Sequence, residues 1–183
     1  MSVTPSALAH ELPPLHDRPV GAIVYDDEAY PDTIFSAIVD RCRVLGLSLA
    51  GVLQHQVFER ADRRCDVILE DLTSGHRTPL FEHRGAGARG CRLDEAALAE
   101  AIARVEGSLE NAPQLLVLNK FGKVECDGGG LRDLIASAID RGIPVVIGVP
   151  QRNLGSWRKF IGEFAVELTN DSCEVERWLQ NVR

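Results

Sequence analysis

Three short, uninterrupted apolar runs constrain this chain most: Val20 to Tyr25, Leu115 to Leu118 and Val145 to Val149. Each is four to six residues long, too short for a buried helix, and none alternates with polar residues. A strand covered on both faces reads this way, because successive side chains point to opposite sides and both sides are dry. Between the runs lie stretches of helical periodicity. Ile34, Ile38, Cys42 and Leu45 recur at helical spacing between Pro31, suited to a first turn, and Gly46, suited to a C-cap. Ala97, Leu98, Ala101, Ile102 and Val105 form a second such stripe behind the N-cap candidate Asp94.

Leu47 to Leu53 reads as a further strand. Cys65 to Leu72 and Arg77 to Glu82 read as a hairpin turned by Thr73, Ser74, Gly75 and His76. Downstream, a helix over Leu131 to Arg141 leads into the strand Val145 to Val149. A short helix near Leu154 to Ile161, a strand near Ala165 to Leu168 and a closing helix from Glu174 to Val182 complete the chain. Strands alternating with helices predict an α/β fold: a three-layer sandwich with a mainly parallel sheet and an inserted β-hairpin. Residues 1–19, with four prolines and little periodicity, are expected to form a flexible arm before a single domain over 20–183.

The 183 residues carry 27 acidic against 20 basic side chains, a formal charge of -7, which argues against general nucleic-acid binding. The absence of a long apolar stretch, and of a basic start followed by an apolar signal core, leads to the expectation of a cytoplasmic protein without membrane insertion. Five scattered cysteines and five histidines show neither C-x-x-C nor H-E-x-x-H spacing, so neither a disulfide framework nor a zinc hydrolase is expected.

Ligands of wound α/β sheets bind beyond the carboxyl ends of the strands. On the strand assignment above, that edge collects Asp26 to Asp32, Asn119 to Glu125 and Pro150 to Asn153. Asp26 and Asp27, with Glu125, offer oxygens for a metal such as Mg2+, although an acidic turn at a helix start is the blander and favoured account of the aspartates. Lys120 and Lys123 are mobile cations suited to phosphate oxygens. Gly122 lets backbone amides approach a ligand, and Asn119 stands beside them at the strand end. A charged surface turn is the alternative account. Arg84, Arg89 and Arg92 lie in a glycine-rich loop that suits an oxyanion clamp or a plain surface loop. Its G-x-G-x-x-G spacing follows a hairpin strand rather than the first strand, so a dinucleotide fingerprint is discounted. Cys91, inside that basic loop and near a helix start, is the thiol expected to be most reactive. Trp157 and Trp178 fall in amphipathic segments and read as packing or partner-surface residues rather than base-stacking platforms.

The stretch Leu116 to Glu125, with Gly130-Leu131-Arg132 and Gly90 to Asp94, resembles two groups. One is the small archaeal-type nucleoside-triphosphatases. The other, more similar over about Val20 to Leu179, is a bacterial domain family of unknown function associated with nucleotide binding or molybdenum transport. The resemblance implies a P-loop-related fold and a small anionic ligand, a nucleotide phosphate or an oxyanion such as molybdate. It also implies a link to molybdenum or cofactor metabolism. Hydrolysis is another matter. Where G-x-x-x-x-G-K-[ST] would follow the first strand, the chain reads Tyr25-Asp26-Asp27-Glu28-Ala29-Tyr30-Pro31-Asp32-Thr33, without glycine cradle, lysine or the metal-binding hydroxyl position. The expectation is therefore binding without efficient hydrolysis. An unconventional triphosphatase and a protein-protein module without a small ligand remain as rivals, and a homo-oligomer or protein partner stays open.

Overall fold

A computed structural model describes residues 19–27, 29–56, 67–82 and 92–181, with the side chains of Gln56, Glu82 and Arg92 excepted. In chain order the elements are β1 (Val20–Tyr25), α1 (Asp32–Val44), β2 (Leu49–Gln56), β3 (Val67–Asp71), β4 (Arg77–Pro79), β5 (Phe81–Glu82) and β6 (Arg92–Leu93). There follow α2 (Glu95–Ser108), β7 (Leu115–Leu118), α3 (Lys123–Cys126), α4 (Arg132–Asp140), β8 (Val145–Pro150), α5 (Leu154–Ile161), β9 (Ala165–Leu168) and α6 (Ser172–Asn181). Seven strands form one sheet in the order β4-β3-β2-β7-β8-β1-β9. The five strands from β2 to β9 in that order run parallel, and β3 and β4 extend the edge antiparallel. The α/β sandwich with its inserted hairpin is the fold that the alternating apolar runs predicted.

The uninterrupted runs are explained by two cores, one on each face. Leu116 and Leu118 of β7 point to the face covered by α2, α4 and α5, with Val105, Ile135 and Trp157. Leu115 and Val117 point to the face covered by α1 and α6, with Phe35, Val39 and Trp178. Both tryptophans are buried packing residues, at 0% and 2% exposure. β1 leads into α1 on one face and its neighbour β8 leads into α5 on the other, so winding reverses between these two strands. That reversal opens a crevice at their carboxyl ends.

Local chemistry sets several boundaries. Asp94 caps α2 by accepting the Ala97 N–H at 2.9 Å. Gly46 ends α1 at φ +69, with the Leu47 N–H returning to the Cys42 carbonyl. The expected strand Arg77 to Glu82 is split. After Pro79 the Leu80 N–H still reaches the Val67 carbonyl at 2.9 Å, where β3 begins, and Phe81–Glu82 pair instead with Arg92–Leu93 as a separate two-stranded ribbon. The expected loop Asn119 to Gly130 contains the single turn α3, whose physical cause belongs to the site described next.

Candidate functional site

Beyond the carboxyl ends of the parallel strands lies a cleft of about 470 Å³. Its walls include Tyr25 at the end of β1 and Asp27 after it, Gln54 of β2, Asn119 and Lys120 after β7, Pro150 at the end of β8, and Arg152 and Asn153 after it. The three segments near positions 26, 120 and 150 therefore do meet, because parallel neighbours deliver their carboxyl ends to one rim.

The β7 turn is built with unusual closeness. Glycine at 148 lets it pass, since a Cβ there would sit 2.6 Å from the Asn119 carbonyl oxygen. Phe121 then donates its N–H to the Gly148 carbonyl at 2.8 Å, and Asn153 donates from Nδ2 to the Phe121 carbonyl at 2.8 Å. The Phe121 ring is fully buried, edge-on to Trp157 and stacked with Phe160. This ring anchors the turn, so that Lys120 before it is held on the cleft wall.

Glu125 fixes the other end. It is 4% exposed, and its Oε2 accepts the Gly122 N–H at 2.7 Å while Oε1 accepts the Leu131 N–H at 3.0 Å. A glutamate at the third position of a helix returning to the cap amide closes α3 as a single turn. The second bond ties that turn to the start of α4. Asn119 is buried too, and its Nδ2 donates to Gln54 Oε1 at 3.4 Å.

Lys120 is open to the cleft and forms no ion pair among the described residues. Surrounding protein lowers its pKa, first by burial and next by the Arg152 charge, with Glu125 acting in the opposite direction. Arg152 donates its backbone N–H to Asp27 Oδ1 at 3.2 Å, and its guanidinium stands 3.8 Å from the same oxygen. Above them Tyr25, Tyr30 and Phe35 form a ladder of rings with centroids 5.7 and 5.6 Å apart. Burial, opposed by Arg152 and reinforced by Asp27, raises the Tyr25 phenol. Burial, with Tyr25 and Asp32 adding to it, raises the Tyr30 phenol well above its ordinary range, so both stay protonated donors. The Tyr30 hydroxyl is buried without a hydrogen-bond partner among the described residues.

Of the residues singled out from sequence, Lys120, Lys123, Asn119, Gly122, Glu125 and Asp27 line this one cleft. Asp26 is exposed beside it and is not among the wall residues. Arg84, Arg89 and Cys91 lie outside the described residues, as does the Arg92 side chain and the arm up to residue 18. Two of the three donors considered for Mg2+ are engaged elsewhere, and Asp26 is exposed outside the cleft wall. Glu125 spends both oxygens on backbone amides, Asp27 faces Arg152, and no group of three metal-ligating side chains occurs among the described residues. This set does not fit a magnesium ion. Gln54 lay outside the segments expected at this edge, and Arg152, Asn153 and Tyr30 lay inside them without being given a role. Arg152 had one legible signal, a cation two residues beyond an apolar strand. Among the described residues no helix is long and apolar enough to cross a membrane.

Comparison with known proteins supports the expected domain family of unknown function. The chain is 31% identical over 159 residues to the molybdenum import ATP-binding protein ModC 2 of Bradyrhizobium diazoefficiens, which covers 87% of this chain but 18% of that relative. No solved structure matches significantly. The family model described as protein of unknown function (DUF2478) matches residues 20–178, from the first core strand to Trp178 on the last helix, and the chain belongs to that family.

Proposed function

We propose that this domain binds a small anionic ligand, a nucleotide phosphate or an oxyanion such as molybdate, in the cleft at the carboxyl edge of the sheet, without hydrolysing it efficiently. The observation that carries the reading is the convergence of Lys120 and Arg152. Two cations delivered by β7 and β8 face one cleft, and the Arg152 charge disfavours the charged form of Lys120. Lys120 forms no ion pair among the described residues, and the nearby Glu125 carboxylate, whose charge favours it, directs both oxygens to backbone amides. An anion between them relieves the repulsion and supplies the missing partner. Lys123, at the rim of the same cleft, adds a third positive charge, and Asn119 and Gly122 add polar and backbone groups beside it.

Hydrolysis lacks its usual equipment. The first strand is followed by an acidic, tyrosine-bearing turn rather than a glycine cradle with lysine and hydroxyl, and the candidate carboxylates do not fit a metal. The name of the Bradyrhizobium relative, with its ATP binding and molybdenum import, supports nucleotides and molybdate as the first probes and a role near molybdenum or cofactor metabolism.

Isothermal titration of the wild type with pyrophosphate, molybdate and ATP tests the reading. A measurable affinity that falls about tenfold or more in Lys120→Ala, and less in Lys123→Ala, is expected, since a charge-assisted contact contributes about 1.5–3 kcal/mol. Absence of binding by all three probes, or an affinity indifferent to Lys120→Ala, overturns it. Steady phosphate release from ATP that vanishes in Asp27→Asn would instead establish the triphosphatase.

A further inference from the structure

The cleft is much longer than its cationic end. Tyr25, Asp27 and Arg152 stand at the β1 and β8 end, and Val67 stands where β3 begins beside the carboxyl end of β2. From β1 through β8, β7 and β2 to β3 the sheet spans four interstrand spacings, or about 19 Å. The far end has a different chemistry from the near one. Val67, Leu80, Phe81, Leu93, Leu98 and Leu131 line it, contributed by the inserted hairpin, the small ribbon, α2 and the start of α4. The inserted segment, which a minimal wound sheet does not need, thus supplies most of an apolar wall to the same cleft.

A volume of about 470 Å³ lies within the range of pockets that enclose a whole organic molecule. A tetrahedral oxyanion at Lys120 and Arg152 would leave the apolar half against water. We propose that the ligand of this cleft is an organic anion of two parts: a phosphate-like group held at Lys120 and Arg152, and an apolar or aromatic body lying toward Phe81, Leu93 and Leu98. The inference rests on the anion-binding reading above and narrows it, placing bare molybdate or phosphate as a poor occupant. Nucleotides and simpler aryl phosphates share this chemistry.

Titration with three kinds of probe separates the possibilities: pyrophosphate and molybdate as bare anions, ribose 5-phosphate as a polar-bodied phosphate, and AMP and 1-naphthyl phosphate as aromatic-bodied phosphates. Burying about 100 Å² of apolar surface corresponds to about a 50-fold gain, so both aromatic phosphates are expected to bind at least tenfold tighter than ribose 5-phosphate and the bare anions. Leu98→Asn is expected to weaken AMP at least tenfold more than it weakens pyrophosphate. Val124→Ser, at a wall position already 36% exposed, tests the same direction without threatening the core, and circular dichroism confirms that both variants fold. Equal affinity for AMP, ribose 5-phosphate and pyrophosphate, with loss of all three in Lys120→Ala, overturns the two-part ligand and leaves the anion site standing. Binding of adenosine as tight as AMP, or of no probe at all, overturns the anion site itself.

Discussion

Gly130 closes the turn before α4 at φ +61, and a Cβ at this position would lie 2.0 Å from Oε1 and 2.8 Å from Cδ of Glu125. Gly130→Ala therefore carries two separable penalties. The left-handed backbone costs an alanine about 1–2 kcal/mol, partly offset by the lower entropy of the unfolded chain, about 0.4–1 kcal/mol. The second penalty is local to the site. The Glu125 carboxylate must move, and with it go hydrogen bonds to the Gly122 and Leu131 amides. Each bond to a charged acceptor is worth about 1.5–3 kcal/mol, so loss of one or a weakening of both gives about 3 kcal/mol. Gly142→Ala is the control: it has φ +68 and nothing within 4 Å of the added Cβ, so it bears the backbone term alone. With a urea m-value of about 2 kcal/mol/M, the Gly130→Ala midpoint is expected about 1.5 M below that of Gly142→Ala. Equal midpoints would refute the reasoning that Glu125 is the staple of the turn carrying Lys120, and would free it to face a ligand.

Four further outcomes follow from the geometry. Because Lys120 has a lowered pKa, anion affinity is expected to decline as pH rises through that lowered value, below the ordinary 10.5. Binding in alkaline buffer should take up a proton, read from the buffer dependence of the calorimetric heat; in the apo protein the sign reverses, and stability should rise over the same interval as the disfavoured charge is lost. Burial opposes ionisation of Glu70, but hydrogen bonds from Arg77 at 3.2 Å and His55 at 2.9 Å outweigh it and hold its pKa below 4.5. Its contribution is present above 4.5 and lost as pH falls through the lowered value, so Glu70→Gln should flatten the acid limb of a stability-versus-pH curve. Phe121→Ala, at a fully buried ring, is expected to cost about 3–5 kcal/mol in urea denaturation, and Phe121→Leu under about 1.5 kcal/mol. Tyr30→Phe removes a buried hydroxyl without a partner among the described residues, so the apo protein should be no less stable, and a drop of more than 1 kcal/mol would reveal a hidden acceptor.

What the amino-acid order determined by itself was the layered architecture. Runs such as Leu115 to Leu118 fit only a strand with both faces dry, and Asp94 and Gly46 mark helix ends through local hydrogen bonding and backbone freedom. The position of the candidate site was legible for the same reason, since parallel strands deliver their following turns to one rim. The tertiary structure alone decided which side chains at that rim are spent and which are available. Glu125 looked like a ligand group in sequence, but its partners are amides at Gly122 and Leu131, fixed only when α3 curls back on α4. Arg152, unremarkable in sequence, faces Lys120 because β7 and β8 are neighbours. Leu98 and Phe81, distant from either in order, line the same cleft because α2 and the small ribbon each contribute to its wall. Periodicity is a local property of the chain, whereas the partner of a charge depends on which strands become neighbours.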